Sequence, residues 1–597
     1  MVESFHIDFE PLGRRVDARP GTTLLAAAQA AGVGLASVCG GVGTCEECRL
    51  RLVTGKLTPL TLVEEAAFNI AEREAGFRLA CQAEPLSDIK VDIPPESLTA
   101  AQRLQIEGQE TGVALLPAVR ALDLELTAPS LDDLRSDLSR LRDALAQQGV
   151  THAVLTPVIL AFLSEQLRQQ AWRARLVLHG DQLVAILPPG APIFGLAVDI
   201  GTTKLAAYLV DLQTGKTVAK SGAMNPQIAY GEDAISRIAY AGREGEGARR
   251  LQTVLMESLN QLLEGMTTEA RVNPIQVVDG VLVGNTAMHH LFAGLPVRQL
   301  GQAPFVASVS ESLTLPVDAL GLRLAQGALV YLPPNIAGFV GADHISMLVA
   351  TGAWKSLRTV IALDIGTNTE ISLITSGKIS SCSCASGPAF EGAHIRDGMR
   401  AAPGAIERAR WSEGKLLWQS IEDQPPVGIC GSGILDIVAS LLDGEMLKAT
   451  GALKIDSGSE YELVVASQTG HGHAVVVTRK DIHEIQLAKS AIRSGIEVLL
   501  QNAGLSYEAV DEFIVAGAFG TYLDLRSAIR VGMFPPLPLD RFHQVGNAAG
   551  VGAKQMLVST EQRQEAEEIA SRIHYIELTA QGGFTPLFMK HLSFHGE

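Results

Sequence analysis

Two stretches of the sequence, VDIGTTKLAAYLVD (198–211) and LDIGTNTEISLIT (363–375), decide the fold. In each of them an apolar strand ends in Asp-Ile-Gly-Thr and a second strand follows, and the likeness extends over residues 195–216 and 360–378. Such a hairpin brings a carboxylate to its mouth and presents Gly and Thr N–H groups that can meet phosphate oxygens. One copy is a common turn composition, but two copies with matched flanking strands predict a duplicated α/β fold that holds a nucleotide between its halves.

The two hairpins supply the residues that we expect to bind ATP. Asp199 and Asp364 are the predicted catalytic carboxylates. We expect them to hold Mg²⁺ through water, because that ion keeps much of its hydration shell and takes few carboxylates directly. The residues expected to face the phosphates are Gly201, Thr202, Thr203, Lys204, Gly366, Thr367 and Asn368.

A third motif, DEFIVAGAFGTYLD (511–524), reads as a strand followed by a Gly-rich turn. With the two hairpins it resembles the nucleotide site of the acetate and sugar kinase, Hsc70 and actin superfamily, in which two ribonuclease H-like lobes close over ATP. Segments 281–294 and 543–557 resemble the hinge segments of that superfamily, and Asn285 and Asn547 stand in them where helix caps are expected. The resemblance assigns the adenosine contact to Gly517, Ala518, Phe519 and Gly520.

A cysteine-rich loop, SVCGGVGTCEECRL (37–50), lies near the N-terminus. Cys39, Cys45 and Cys48 have the spacing C-x5-C-x2-C, and Cys81 follows at a distance. One metal loop with a distant fourth cysteine is the pattern of a [2Fe-2S] ferredoxin, and the longer first gap resembles the adrenodoxin-type branch of that fold. Glycines suit a chain that turns sharply around two irons. These four cysteines are therefore the predicted cluster ligands.

A zinc knuckle and buried structural thiols are the alternatives for this cluster. Zinc sites favour paired C-x2-C units, whereas here one pair is joined by two single cysteines. The other three cysteines do not have the spacing of a further cluster, and we expect them to be small buried residues in Gly-rich segments. They are Cys382, Cys384 and Cys430.

Between the cysteine loop and the first hairpin, the sequence predicts a linker and a small α+β unit. ALDLELT (121–127) alternates as a strand, and residues 130–149 predict a helix capped by Ser130. ARLVLHGDQLVAILPPG (174–190) predicts a hairpin that turns at Gly180 and Asp181. The leucines expected on one face of the helix are Leu131, Leu134, Leu138, Leu141 and Leu145.

Length and charge bound the function. A chain of 597 residues is too long for one core. Its net charge of −17 argues against nucleic acid as a partner, because phosphate backbones require a surplus of Lys and Arg. The sequence has no long uncharged apolar stretch and no signal-peptide pattern, so we expect a cytoplasmic protein that does not insert in a membrane.

The whole chain resembles the reductive activators of corrinoid proteins, and several further segments are typical of that family. The segments are NPQIAYGEDAISRIAYA (225–241), LPPNIAGFVGADH (332–344), CASGPAFEGAHIRDGM (384–399), GICGSGILDIVASLL (428–442) and DIHEIQLAKSAIRSGI (481–496). The resemblance implies ATP-dependent reduction of an inactive Co(II) corrinoid protein to Co(I), with one electron passing through the [2Fe-2S] cluster. It also implies a low-potential electron donor, a corrinoid-binding methyltransferase protein as partner, and a homodimer through the C-terminal domain.

The resemblance and the motifs together predict an α/β multidomain chain. Residues 1–95 form an adrenodoxin-like, β-grasp [2Fe-2S] domain, residues 96–117 a linker, residues 118–190 a small α+β middle domain, and residues 191–597 a duplicated ribonuclease H-like ATPase domain. In the last of these, Ser386 and Glu391 follow the second hairpin closely and are candidates for a contact with the cleft or the partner.

Three other functions stay open from the sequence. An activator of a radical dehydratase shares the ATPase superfamily but carries a [4Fe-4S] cluster between two subunits. A small-molecule kinase with an appended redox-sensing cluster is the second alternative, although no acceptor-side general base stands out in the sequence. A plain electron-transfer module with an inactive nucleotide fold is the third, and the intact Asp199, Asp364 and Gly517–Gly520 motifs argue against it.

Overall fold

The computed structural model describes residues 4–10, 12–31, 33, 35, 43, 48–94, 97, 107–109, 112–243, 246–392, 394–455 and 460–594. Within these residues, an N-terminal domain and a small second domain each have an apolar core. The two largest cores lie in a large C-terminal domain of two lobes, and one of them also includes residues of the second domain, such as Val177 and Val184. No helix in this part of the chain is long and apolar enough to cross a bilayer.

The N-terminal domain is a five-stranded sheet in the order β2-β1-β5-β3-β4, with helices on it, as the predicted β-grasp fold requires. β1 and β2 form a hairpin, and α1 begins after Thr23, whose side chain accepts a hydrogen bond from the Ala26 N–H. Its elements are β1 (Phe5–Glu10), β2 (Arg14–Ala18), α1 (Leu24–Ala30), β3 (Arg49–Thr54), α2 (Leu62–Ala67), α3 (Ile70–Glu74), β4 (Phe77–Leu79) and β5 (Ile89–Asp92).

The second domain is a three-stranded sheet, β6-β7-β8, covered by two helices. The predicted hairpin turns at Gly180 and Asp181 as expected. Its elements are β6 (Val119–Glu125), α4 (Asp137–Gln147), α5 (Pro157–Gln169), β7 (Arg173–His179) and β8 (Gln182–Leu187).

The predicted start of the first helix of this domain is wrong. The helix begins after Ser136, whose hydroxyl accepts a hydrogen bond from the Ser139 N–H, and not after Ser130. Residues 130–133 instead form a turn, with backbone hydrogen bonds in both directions between Ser130 and Asp133. Leu131 and Leu134 are therefore exposed at 95% and 82% and do not join the apolar face of the helix.

The first lobe of the C-terminal domain contains a six-stranded sheet in the order β11-β10-β9-β12-β14-β13. Three antiparallel strands are followed by two strands parallel to the first of them. Its elements are β9 (Phe194–Ile200), β10 (Lys204–Asp211), β11 (Thr217–Met224), α6 (Ala234–Arg243), α7 (Gly247–Ala270), β12 (Val277–Gly284), α8 (Thr286–Ala293), β13 (Leu313–Pro316), α9 (Val317–Leu320), β14 (Leu329–Leu332) and α10 (Ala342–Thr351).

The second lobe repeats this plan in the sheet β24-β23-β15-β16-β17-β25 and adds two small sheets, β19-β18-β20 and β21-β22. Its first elements are β15 (Val360–Ile365), β16 (Thr369–Thr375), β17 (Lys378–Cys384), β18 (Ala405–Ser412), β19 (Lys415–Ser420), β20 (Gly428–Ile429), α11 (Gly431–Asp443), β21 (Glu460–Val464), β22 (Val475–Thr478) and α12 (Arg479–Asn502). The others are β23 (Glu512–Ala516), α13 (Ala518–Tyr522), α14 (Leu525–Arg530), β24 (Phe542–Gly546), α15 (Ala548–Val558), α16 (Thr560–Arg572), β25 (Ile573–Tyr575) and α17 (Phe584–Leu592).

The two lobes share the order of five strands, β11-β10-β9-β12-β14 in the first and β17-β16-β15-β23-β24 in the second, so the predicted duplication is confirmed. The sixth strand, β13 or β25, lies at opposite edges of the two sheets. In each lobe the Asp-Ile-Gly-Thr hairpin joins the first two antiparallel strands, β9 to β10 and β15 to β16. The lobes meet where α10 crosses α15. There Ser346 donates a hydrogen bond to the Ala549 carbonyl (2.6 Å), and a side chain at Gly552 would collide with the Ser346 backbone. The close crossing fixes both hairpins on the two sides of one cleft.

Part of the segment between the two N-terminal domains is tied to the C-terminal domain. The Glu107 carbonyl accepts the Asn547 N–H (3.0 Å), and Gln109 donates to the Val545 carbonyl (3.1 Å). Further on, the Leu116 N–H donates to the carbonyl of the last residue of α15, Val558 (2.8 Å). The chain is thus anchored from residue 107 onward.

Candidate functional site

A cleft between the two lobes brings both Asp-Ile-Gly-Thr hairpins together. Its walls include the ends of β9 and β15, the start of α11, and the turn between β23 and α13. Of the predicted site residues, those that line it are Asp199, Gly201, Thr202, Thr203, Lys204, Asp364, Gly366, Thr367, Asn368, Glu391, Gly517 and Phe519.

Two asparagines hold the first hairpin. Asn225 donates its side-chain amide to the Gly201 carbonyl (2.8 Å), and its backbone N–H donates to the Thr203 carbonyl (2.8 Å). Asn285, which also caps α8 as expected, donates to the Thr202 hydroxyl (2.8 Å). Because the hairpin carbonyls are occupied from behind, the hairpin is held in one conformation at the mouth of the cleft.

A fully buried arginine supports the same hairpin. The Arg237 guanidinium donates to the Thr202 carbonyl (2.5 Å) and to the Gly231 carbonyl (2.8 Å). Burial lowers the pKa of this group to about 9, so it is still charged at neutral pH. Arg237 therefore adds a positive charge directly behind the first hairpin, in the region where we expect phosphate.

The second hairpin is closed by its own backbone and supported by Ser386. The Gly366 N–H donates to the Asn368 carbonyl (2.9 Å). Ser386 is buried, its hydroxyl lies 3.0 Å from the Thr369 hydroxyl, and it donates to the Thr367 carbonyl (3.4 Å). The expectation that Ser386 contacts the cleft or a partner is therefore corrected: this side chain positions the hairpin from behind.

Glu391 joins the two hairpins. One carboxylate oxygen accepts a hydrogen bond from the Thr203 hydroxyl (2.5 Å) and the other accepts one from the Thr367 hydroxyl (2.6 Å). The two hydroxyls are themselves 3.3 Å apart. An anionic group is thus held between the two hairpins by the donors that the sequence assigns to phosphate. Lys204 faces the same carboxylate, and burial lowers the pKa of its ammonium group while the negative charge of Glu391 opposes that shift.

Four carboxylates crowd the inner end of the cleft. Burial and the charge of Asp343 raise the pKa of Asp199 to about 7, although a hydrogen bond from Asn547 opposes the shift. Burial raises the pKa of Asp343 to about 6. Burial and the neighbouring carboxylates raise the pKa values of Asp364 and Glu370 well above their usual range. A cluster of this kind is stabilised by a divalent cation, which reverses the local charge balance.

No three side chains of His, Cys, Asp or Glu in the described part of the chain lie close enough together to share one ion directly. The carboxylates of the cleft consequently fit an ion that is held mostly through its water shell. Mg²⁺ is such an ion, since it gives up its waters reluctantly and is usually bound by one or two carboxylates together with substrate phosphates.

The turn after β23 closes the other side of the cleft. Gly517 has a φ of +92°, and a Cβ there would lie 2.7 Å from an Asp364 carboxylate oxygen, so only glycine fits. The Phe519 ring stacks on the Phe390 ring with centroids 4.8 Å apart. Two aromatic faces thus lie beside the hairpins, where the sequence places the adenosine. Gly520 packs against Val515 and does not line the cleft, and the side chain of Ala518 is outside the description.

Two of the four predicted cluster cysteines are brought together in the N-terminal domain. Cys48 directly precedes β3 and Cys81 follows β4, and the Ala80 N–H donates to the Cys48 carbonyl (2.8 Å). Both cysteines are buried thiols without a disulfide. Gly43, inside the loop, has a φ of +92°, which agrees with the predicted need for glycine there. Cys39 and Cys45 lie outside the described residues. Thiols juxtaposed from distant parts of the sequence fit a cluster held by Cys48 and Cys81.

The other three cysteines are buried, as expected. Burial raises the pKa of the Cys430 thiol, and a hydrogen bond with Cys384, together with burial, raises the pKa of the Cys382 thiol, so both are protonated at neutral pH. They act as small apolar groups, although Cys430 also forms part of the cleft wall.

Sequence reasoning missed five residues that shape the site. Asp343, Arg237 and Asn225 lie inside segments recognised as typical of the family. Arg400 directly follows another of these segments, and Glu370 lies in the second strand of the second hairpin. A position in or beside a motif was thus the available signal, but the contacts of these residues at the cleft depend on the tertiary structure. Arg400 lines its wall together with Glu391.

Family comparisons divide the chain into four matched regions. Residues 7–86 match the "2Fe-2S iron-sulfur cluster binding domain". Residues 108–191 match the "RACo linker region", residues 194–356 the "RACo middle region", and residues 358–597 the "C-terminal domain of RACo the ASKHA domain".

Similar proteins cover nearly the whole length. The "Corrinoid activation enzyme RamQ" of Eubacterium limosum is 30% identical, with 94% of each chain covered. The "[Co(II) methylated amine-specific corrinoid protein] reductase" of Methanosarcina barkeri is 25% identical over 67% of this chain and 77% of that protein. A solved structure, "Reductive activator for corrinoid,iron-sulfur protein", is 33% identical with a TM-score of 0.72, covering 99% of this chain and 98% of the other. This chain belongs to the family of reductive activators of corrinoid proteins.

Proposed function

We propose that this protein uses ATP to reduce the cobalt of a partner corrinoid protein from Co(II) to Co(I), which restores the form that accepts a methyl group. Membership of the family brings a [2Fe-2S] cluster, ATP and Mg²⁺ as cofactors. The observation that carries the ATP part of the proposal is the Glu391 carboxylate, an anion held by the threonines of both hairpins. A phosphate oxygen offers the same hydrogen-bond acceptors in the same place.

The nucleotide is bound by residues of both lobes in this proposal. The hydroxyls of Thr203 and Thr367 and the ammonium group of Lys204 bind the phosphates. Asp199 and Asp364 hold the hydrated Mg²⁺, and the raised pKa values of these carboxylates are what an unneutralised cation site produces. The adenine ring lies against Phe519. Because the two hairpins belong to different lobes, nucleotide binding favours one arrangement of the lobes over others.

The N-terminal domain supplies the electron. We assign the cluster ligands to Cys39, Cys45, Cys48 and Cys81, of which the structure describes the last two. When bound, the cluster carries one electron at a time. In each turnover the reduced domain loses one electron, Co(II) gains it to give Co(I), and a low-potential one-electron donor reduces the domain again.

Energetics explain why ATP is required. Plant-type [2Fe-2S] centres lie near about −400 mV, and we expect the Co(II)/Co(I) couple of a corrinoid to lie lower. Each adverse gap of about 59 mV costs a factor of ten in the equilibrium of a one-electron transfer. ATP can offset this cost only through different affinities for two conformations of the protein. We propose that these conformations differ in how the two lobes are arranged around the cleft.

We also propose the partner and electron donor of this protein, its location in the cell and its oligomeric state. The partner is a methyltransferase-type corrinoid protein, and the donor is a small reductant or protein of low potential. Since the reaction consumes ATP, we place it in the cytoplasm. A homodimer through residues 191–597 completes the proposal, and light scattering of the anaerobic protein tests it: a mass near twice 63.3 kDa supports the dimer.

The reaction is tested by mixing the protein anaerobically with a Co(II) corrinoid protein and a low-potential reductant. We expect the absorbance band of Co(I) to form with Mg-ATP and not without it. Cys48→Ser abolishes the band, while Cys382→Ser, which alters a buried thiol far from the predicted cluster, leaves it. ATP turnover that rises with a small hydroxylated substrate, with no Co(I), would replace the proposal with a kinase that carries a redox sensor.

A further inference from the structure

The N-terminal domain is docked against the C-terminal domain through polar contacts. Its apolar core is separate from the cores of both lobes. Interfaces between domains that lack a shared apolar core permit relative motion. Ion pairs between named residues therefore contribute to the docked arrangement.

A buried ion pair forms the centre of this dock. The Arg400 guanidinium lies 2.9 Å from a carboxylate oxygen of Glu10, the last residue of β1, and the two side chains are exposed at only 6% and 2%. The backbone N–H of Arg400 also donates to the Leu12 carbonyl in the turn between β1 and β2 (3.4 Å). Burial raises the pKa of Glu10, and the positive charge of Arg400 opposes that shift. The Glu10 carboxylate is thus stable in this position because Arg400 faces it.

Further ion pairs surround the centre. Arg15 lies 2.6 Å from Glu232 of the first lobe, and Lys90 lies 3.6 Å from the same carboxylate. Arg14 donates to the Gly398 carbonyl (3.3 Å), two residues before Arg400 in the sequence. On the N-terminal domain, the dock is consequently made by the β1–β2 hairpin and β5. On the C-terminal domain, it is made by the loop that carries Glu232 and by the segment from Gly398 to Arg400.

Arg400 also lines the nucleotide cleft, so one side chain belongs to both sites. Residues 391, 392 and 394–400, which we name the coupling segment, run from the carboxylate between the hairpins to this arginine. Its backbone packs on itself: Gly392 lies against the Met399 backbone and Gly398 against the Gly392 carbonyl, with no room for a Cβ at either glycine. The Met399 N–H donates to the Ile429 carbonyl (2.9 Å). The described residues of this segment thus connect Glu391 to Arg400 through close backbone contacts.

We propose that the coupling segment makes docking of the [2Fe-2S] domain depend on the nucleotide, with Glu391 and Arg400 as its two positioning residues. A phosphate takes the place of the Glu391 carboxylate on the threonines, and Arg400 turns from Glu10 to the nucleotide. The inference rests on the proposed function, since it requires ATP in the cleft. Guanidinium groups bind phosphate through paired hydrogen bonds, so the nucleotide competes well for this arginine. Glu10, left as a buried charge without its partner, is then stable only in water, and the domain leaves the dock.

The chain permits this movement. The last described residues of the N-terminal domain are 94 and 97, and the chain is anchored again from residue 107 by the hydrogen bonds with β24 and α15. The residues between 97 and 107 span roughly 30–35 Å when fully extended. This length of chain allows the N-terminal domain to leave the dock while the anchor stays in place.

Hydrogen exchange and small-angle scattering of the full, cluster-loaded protein test the inference under anaerobic conditions. With Mg²⁺ and a non-hydrolysable ATP analogue, we expect a larger radius of gyration and an increase of at least about tenfold in the exchange rate at the Arg400 amide, because its acceptor, Leu12, has moved away. Fluorescence titration of the same analogue measures its binding independently.

Two variants break the dock without nucleotide. Glu10→Gln removes the buried charge that faces Arg400. Glu232→Gln removes the partner of Arg15 and Lys90 on the opposite side of the dock. If one of the two variants does not fold, the other still tests the inference. Both are expected to show the expanded scattering profile in the absence of nucleotide. The matched control is Glu72→Gln, which alters an ion pair with Arg49 inside the N-terminal domain, and it behaves as the unaltered protein does.

The outcomes separate the inference from the proposed function. If the analogue binds but neither exchange nor scattering changes, the coupling is absent while the nucleotide site stands. If Glu10→Gln and Glu232→Gln both keep the compact profile, the ion pairs do not hold the dock. If the analogue fails to bind at all, both the proposed function and the inference are overturned.

Discussion

At the scale of single residues, the Glu391 carboxylate competes with phosphate for the two threonine hydroxyls. We therefore predict that Glu391→Gln binds ATP more tightly, because the variant loses the negative charge that occupies the phosphate position. A fivefold lower Kd, about 1 kcal/mol, is the expected size of the effect. Fluorescence titration measures it, with Glu413→Gln, an exposed residue between β18 and β19, as the control.

A different outcome would give Glu391 a different role. If Glu391→Gln binds ATP as the unaltered protein does but hydrolyses it at least about a hundred times more slowly, the carboxylate acts as a general base toward the attacking water. The Kd and the turnover rate together therefore separate competition from catalysis.

The residues predicted from the sequence are those that belong to local motifs. Asp199 and Asp364 were found because each follows an apolar strand and precedes a Gly-Thr turn. Asp343, Glu370 and Arg400 were not found, because their roles depend on which side chains the folded lobes bring to one cleft. Ser386 was assigned to the cleft or a partner from proximity in sequence alone, whereas it lies just after β17, buried against Thr369 and the Thr367 carbonyl behind the hairpin.

At the scale of secondary-structure elements, the packing of α17 on α12 places a lysine in the protein interior. Lys489 is fully buried, donates to the Ser593 carbonyl (2.7 Å) and lies 5.1 Å from the Phe594 ring centroid. Burial, with a contribution from Arg493, lowers its pKa to about 7 from 10.5. Because the unfolded chain binds this proton more tightly, the group destabilises the fold fully below pH 7, and the cost disappears as the pH rises to 10.5.

We predict that Lys489→Met melts at a higher temperature than the unaltered protein at pH 7, and that the difference shrinks as the pH approaches 10. Calorimetry of the anaerobic protein at several pH values measures the difference. Lys480→Met, on an exposed turn of the same helix, is the control and shows no such trend. A gain in melting temperature that is equal at pH 7 and pH 10 would contradict the assignment.

A buried ion pair fixes α16 to the first lobe. Arg563 lies 2.6 Å from Asp279 of β12, and the aspartate is fully buried. We predict that Arg563→Met lowers the free energy of unfolding by about 3–5 kcal/mol, because it leaves an unpaired charge inside the sheet. Arg249→Met removes an exposed ion pair with Glu246 and is expected to change stability by less than about 1 kcal/mol. Equal effects of the two substitutions in denaturant unfolding would contradict the prediction.

The elements themselves follow from the sequence where a strand or helix has its own boundary signal. The hairpin at Gly180 was found from its turn residues. The start of α4 was missed because Ser130 and Ser136 are both acceptable caps. Asp133 decides between them: its carboxylate binds Arg135 and Arg140 (2.8 and 2.7 Å), which holds the preceding residues in a turn. The spacing of the leucines, from which the helix was predicted, gives no sign of these ion pairs.

At the scale of the whole molecule, the chain combines an electron-carrying domain with a two-lobed nucleotide-binding domain. We predict that a chain lacking residues 1–95 still binds the ATP analogue but forms no Co(I), because the electron route is gone while both hairpins remain. Adding the separate N-terminal domain in excess restores part of the activity. Reduction of cobalt by the truncated chain at the rate of the full protein would contradict the assignment of electron transfer to the N-terminal domain.

The order of the domains, and the family to which the chain belongs, were predicted correctly because the cysteine spacing and the paired hairpins are specific over short distances. The docked position of the N-terminal domain was not predicted. It depends on single charges, Glu10 with Arg400 and Arg15 with Glu232, that are hundreds of residues apart and carry no pattern of their own. The sequence therefore indicates which domains are present, and the structure shows which of their residues are in contact.

The central claim is that ATP drives one electron from the N-terminal domain to cobalt, and a single-turnover mixing experiment tests it most directly. The protein is reduced by one electron, freed of excess reductant, and mixed anaerobically with an equal amount of Co(II) corrinoid protein, while absorbance follows both partners. The account predicts that oxidation of the [2Fe-2S] domain and formation of Co(I) proceed together, one for one, only when Mg-ATP is present. Equal transfer without Mg-ATP, or ATP hydrolysis with no change in either partner, would contradict it.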